Sequence, residues 1–159
     1  MWSIAQCLEH LNVSARLFFV VIDRGMERGA RGAGPFRYGF LERWFLRTME
    51  PPVKTRFRAS KHLQPPPDAS PAPALAAFEH NQDQMAERIR RADGLHLSRV
   101  KVSSPVSKFI KYSLGIALQV MVAHERRHLW QAEQVRAHPE FPQPMRDESG
   151  SRTAGPTAR

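Results

Sequence analysis

Two histidines four residues apart, His124 and His128 in the run His-Glu-Arg-Arg-His, are the residues of this chain best spaced to do chemistry together. On a helix, positions i and i+4 share a face one turn apart, so both imidazoles can hold one cation. A third nitrogen from a neighbouring helix would give a three-histidine site with open positions for water or substrate, the ligand pattern of catalytic zinc. His10 is the best third candidate. Its helical neighbours are Cys7, Val13, Ser14 and Leu17, and an imidazole buried unpaired on such an apolar face is costly. Two structural accounts compete: a core His10 satisfied by one hydrogen bond, and an ordinary helix with two histidines on its polar face. His62, His80, His96 and His138 lie near expected loops or on mixed faces and have no comparable case.

The same spacing occurs in zinc peptidases, where the glutamate of H-E-x-x-H activates water. The extended form of that pattern needs glycine at Gln131 and histidine at Gln134, and this chain has neither. Glu148 is a tolerable distance downstream but belongs to a stretch without apolar periodicity. Glu125 therefore reads as a solvent-facing or supporting residue rather than a catalytic base. Cys7, one turn before His10, reads as a buried inert thiol, with a redox-sensitive ligand as the weaker alternative.

The elements that must position these groups are helical. Ser3-Ile4-Ala5-Gln6 is a capping box, which predicts a first helix over residues 3–23 with Cys7, Leu11, Val13, Leu17, Phe18, Val20, Val21 and Ile22 on a broad buried face. Gly25, Gly29, Gly32, Gly34 and Pro35 predict a loop. Residues 36–49 carry Phe36, Phe40, Trp44, Leu41 and Phe45 at helical spacing and predict a shorter helix, stopped by Pro51-Pro52. Seven prolines between positions 51 and 73 predict an extended connection crossing the bundle. Ser70-Pro71 then opens a helix through Leu75, Phe78, Met85 and Ile89 to Asp93-Gly94. The alternation over residues 95–102 suits a strand, but with no partner evident it reads as an extended connector. Ser113 caps a last helix over residues 114–137. Its first half, residues 114–123, is apolar nearly all round and predicts burial, so the histidine pair begins where that half ends. Leu129, Trp130, Ala132 and Val135 then form a one-sided stripe.

Composition narrows the class. A chain of 159 residues has room for one domain, here residues 1–141, followed by a disordered tail over 142–159. One cysteine excludes an internal disulfide and suggests a reducing, cytoplasmic compartment. Apolar runs such as residues 17–22 are far too short to span a bilayer, so no membrane role is expected. The formal charge is +9, of which residues 24–62 contribute +7. Such a patch serves small anions as well as polyanions, and without a helix-turn-helix, zinc-finger or aromatic RNA-binding pattern a nucleic-acid partner is not expected.

Two motifs resemble one family. Trp2-Ser3-Ile4-Ala5-Gln6-Cys7-Leu8-Glu9-His10-Leu11 is similar to the Trp-Ser/Thr…His segment of the DinB-like superfamily, and the stretch from His124 to Val135 followed by Pro139-Glu140-Phe141-Pro142 is similar to its closing helix. The resemblance covers roughly residues 2–142. It implies an all-α, up-down four-helix bundle from a bacterial, cytoplasmic setting, with one histidine of the first motif and two of an H-x-x-x-H pair holding a metal. Carried over, the ligands are His10, His124 and His128. The family motif follows an additional helix, whereas this chain starts at Met1-Trp2. The resemblance therefore implies a first helix missing from this chain. Either the start codon is placed too late, the preferred reading, or the protein lacks a bundle helix, which would expose part of the face around Leu8, Leu11 and Phe18 and invite homodimerisation or instability.

The leading expectation is a divalent-metal-binding bundle acting as a metal-dependent transferase or hydrolase. Imidazole suits zinc, nickel, iron and copper alike, so the metal is not specified. A small anionic thiol is the expected cosubstrate, its anionic groups meeting arginines. Arg126 and Arg127 should point away from the histidine face. The alternative is a non-catalytic binding protein that uses segment 24–62 to contact an anionic partner.

Overall fold

Ser3 starts the first helix through its own side chain. Its Oγ accepts from the Gln6 amide at 3.1 Å, and Gln6 Oε1 accepts from the Ser3 amide at 2.9 Å, closing the reciprocal pair that the sequence predicts. The computed structural model describes residues 2–32, 36, 37, 39–54 and 59–142. Of the expected tail over residues 142–159, residues 143–159, with Glu148, lie outside the described residues, as do Gly34 and Pro35 of the expected loop.

Among the described residues there are four α-helices: α1 (Ile4–Glu27), α2 (Phe40–Met49), α3 (Pro71–Arg91) and α4 (Leu114–Arg136). Ser113 Oγ accepts from the Ile116 amide at 3.4 Å and caps α4. Ser70 is at the cap position of α3 with proline at the start, although its side chain makes no cap bond. No helix is long and apolar enough to cross a membrane among the described residues.

The core lies where α1 meets α3 and α4. Phe18, Phe19, Ile22 and Met26 of α1 pack with Met85 of α3 and with Leu114, Ile116, Ala117, Val120 and Met121 of α4. Near one end His10 of α1 meets His124 and His128 of α4; towards the other, Gly25 of α1 faces Leu114 at the start of α4. Along α1 and α3, Asn12 meets Ala74 and Asn81, and Asp23 meets Arg88.

Several expectations need correction. The all-α assignment gives way to a mostly helical fold with a small hairpin, β1 (Lys101–Ser104) pairing antiparallel with β2 (Ser107–Ser113) through Lys101–Ser113, Val102–Tyr112 and Ser103–Lys111. Part of the stretch read as an unpaired connector is thus a strand whose partner follows a tight turn. Gly25, read as a loop residue, lies inside α1; a Cβ there would come within 2.6 Å of Val102 Cγ1, so the close approach of the hairpin favours the bare backbone. The α2 helix begins at Phe40 rather than at residue 36, leaving Phe36 to pack against Gly115.

Leu8, Leu11 and Phe18, on the face that a missing helix would expose, are buried, since α3, α4 and a 3-10 turn at Lys61–Leu63 pack against α1. Leu17 and Val20, expected on the buried face of α1, and Leu129, expected in the one-sided stripe of α4, are exposed. Their helices bury a narrower stripe than the apolar spacing allows.

Candidate metal centre

The centre sits where the first half of α1 crosses the second half of α4. His10 and His128 are buried and His124 is half-buried. One nitrogen from each lies within 4.8 Å of the other two, and no further histidine, cysteine or acid among the described residues belongs to the cluster. Nε2 of His10 is 3.1 Å from Nε2 of His124. The rings of His124 and His128 stand edge-on at 4.7 Å, as one helical turn places them.

Backbone and side-chain acceptors orient two of the rings. Nδ1 of His10 is 2.5 Å from the carbonyl oxygen of Leu63, in the 3-10 turn of the proline-rich connection. A carbonyl only accepts, so that nitrogen carries the proton and Nε2 keeps its lone pair for the cluster. Gln131 Oε1 likewise accepts from Nδ1 of His128 at 3.1 Å, leaving Nε2 as that ring's free nitrogen. Metal-binding histidines are held in this way, by an acceptor on the ring nitrogen remote from the ion. Trp2 covers the rings from one side, 4.9 Å from His10 and stacked 5.9 Å from His128.

Electrostatics keep the cluster neutral. Burial pushes His10 below its ordinary value, against the opposing pull of the Leu63 carbonyl. Burial holds His124 well below the usual range, reinforced by the repulsion that a proton on His128 or His10 would add and by the charge of Arg127. Burial, His10 and Arg127 bring His128 down to about 3. Three uncharged imidazoles therefore converge in a site that disfavours protons.

The donor set suits a divalent cation. Nitrogens bound at about 2.1 Å to a tetrahedral ion stand roughly 3.4 Å apart. The His10–His124 pair is already close to that separation, and His128 needs only side-chain adjustment to join it.

The surrounding residues divide differently from expectation. Arg126 pairs with both carboxylate oxygens of Glu50 at the end of α2, in line with a structural role. Arg127 is buried, donates to the Thr48 carbonyl at 3.3 Å and acts on the histidines through its charge. Glu125 accepts from Gln82 of α3 at 3.1 Å, and burial raises its carboxyl above the usual range; it is outside the cluster. Cys7 is fully buried, and burial pushes its thiol up to about 11, which keeps it inert at neutral pH. His62, His80, His96 and His138 are also outside the cluster.

Sequence reasoning assigned no role to the Leu63 carbonyl, Gln131, Trp2 or the charge of Arg127. Gln131 had a readable signal, since it follows His128 by three residues on the same helix. Leu63 had none, because a backbone carbonyl is contributed by any residue that the fold brings there.

A family model described as the DinB superfamily matches residues 1–132. No curated protein and no solved structure matches the chain.

Proposed function

The chain belongs to the DinB superfamily, and on that premise we propose that it is a metal-dependent transferase or hydrolase with His10, His124 and His128 as ligands to zinc, nickel or iron. The observation that carries this reading is the convergence of three imidazole nitrogens within 4.8 Å in a buried setting. We further propose that the four helices form an up-down bundle, with contacts between α1 and α4 at both ends supporting it.

A divalent ion held by three neutral nitrogens supplies Lewis acidity at its remaining positions, the chemistry needed to activate a thiol for transfer or water for hydrolysis. The chain's own residues prepare that chemistry. Leu63 and Gln131 hold protons on the outer nitrogens of His10 and His128, so the inner nitrogens stay available. Trp2 covers two of the rings and restricts solvent on that side. Arg127, whose positive charge already acts on His124 and His128, favours an anionic group near the cluster. A small anionic thiol fits that charge, and a single cysteine suits the reducing cytoplasm in which such thiols stay reduced.

Elemental mass spectrometry on protein purified without chelator or histidine tag tests the reading, beside a His124→Ala/His128→Ala variant whose fold is checked by circular dichroism. The expected result is near-stoichiometric metal in the wild type and loss in the variant. A folded wild type that takes up neither zinc nor nickel on titration overturns it.

A further inference from the structure

The α2 helix turns its apolar residues outward. Among its ten residues Met49 is the one that is buried, while Phe40, Leu41 and Trp44 are 83%, 74% and 61% exposed. Phe40 with Trp44, and Leu41 with Phe45, are i,i+4 pairs, so the four side chains form one continuous stripe. Arg43 and Arg47 make a further i,i+4 pair beside it. A groove of about 690 Å³ follows this edge, bounded by Phe40, Arg43, Trp44, Arg47, Pro52 and Lys54.

The charged residues lining the groove are three cations, Arg43, Arg47 and Lys54, and one acid, Glu50. Arg43, Arg47 and Lys54 are exposed, and none has an ion pair among the described residues. The nearby acids are already engaged: Glu42 accepts from the Gly39 amide at 2.8 Å, and Glu50 is paired with Arg126. A ligand here meets three unneutralised cations beside two aromatic side chains. That combination selects carboxylates interspersed with apolar groups.

Length decides what kind of ligand. The helix alone is about 15 Å long, and the groove continues past it to Lys54, whereas an extended peptide of about six residues covers roughly 20 Å. A second copy of the chain would bring an identical positive groove and is disfavoured by charge. We propose that this face docks an acidic, apolar peptide segment of another protein, its carboxylates on Arg43, Arg47 and Lys54 and its apolar side chains on Phe40 and Trp44.

Fluorescence anisotropy with a labelled peptide of about twelve residues, alternating Glu with Leu or Phe, tests this beside the same peptide carrying Lys in place of Glu. The Glu peptide should bind at micromolar concentration, more weakly as salt rises from about 50 to about 300 mM. Trp44→Ala and Arg43→Glu/Arg47→Glu should each weaken it about tenfold or more. The charge-reversed variant should in turn bind the Lys peptide, a gain that a misfolded protein would not show. Absence of binding up to about 0.5 mM, equal binding of both peptides, indifference to the Arg43/Arg47 reversal, or a stable dimer broken by Trp44→Ala would each overturn the proposal. The metal content of these variants should match the wild type, so the result is independent of the histidine centre.

Discussion

Acidification separates a buried, proton-averse centre from three ordinary histidines. A histidine with its usual value near 6.5 loses metal affinity by the factor by which protons compete, about 11 at pH 5.5 and about 1.1 at pH 7.5. Three such ligands together would lose affinity about a thousandfold over that interval. Here burial brings His128 to about 3, so it takes up no significant proton at pH 5.5, and holds His124 well below the usual range, so it takes up less than an ordinary imidazole. His10 is also lowered; even at its ordinary value it would contribute only about tenfold. The apparent zinc affinity, measured by competition with a chromophoric chelator at the two pH values, should therefore fall by less than about a hundredfold, the most that His10 and His124 would contribute at their ordinary values. Circular dichroism at the lower pH checks that the protein is still folded. A hundredfold or greater loss in folded protein would refute the argument that burial keeps these rings neutral.

The same shifts make the metal-free fold acid-sensitive. Below about pH 6.5 unfolded histidines bind protons that the folded ones refuse, so stability falls with falling pH, down to about 3 for His128. Between pH 7.5 and 5.5 His128 alone should cost about 1.4 kcal/mol, with the lowered His124 and His10 adding in the same direction, read by urea unfolding; a flat profile would count against the burial argument. Gln131→Ala removes the acceptor that orients His128 and should weaken metal binding about 10–100-fold with stoichiometry unchanged; calorimetric titration that finds equal affinity would deny Gln131 an orienting role. Gly25→Ala should lower the melting temperature, because the new methyl sits 2.6 Å from Val102 Cγ1 and overpacking of about 1–3 kcal/mol outweighs the better helix propensity. Val102→Ala should relieve it, and a raised melting temperature in the single variant would show that the hairpin yields.

The pairing of His124 with His128, the capping of α1 and α4 by Ser3 and Ser113, and the apolar first half of α4 were all legible in the sequence. Each depends on residues within four positions, where covalent connectivity and the pitch of the helix fix the neighbours. His10 stood on less: an apolar helical face made it a candidate, and the resemblance made it a ligand. What the tertiary structure alone decided involves partners remote in the chain. The Leu63 carbonyl reaches His10 across 53 positions, Thr48 reaches Arg127 across 79, and Trp2 covers a ring at position 128. The hairpin stayed hidden because pairing leaves little local signature in Lys101–Ser104, and Gly25 was misread because the close approach of Val102 is invisible without it. Even the neutrality of the three imidazoles is a tertiary property, since desolvation follows from what the fold packs around a ring and not from the ring's neighbours in sequence.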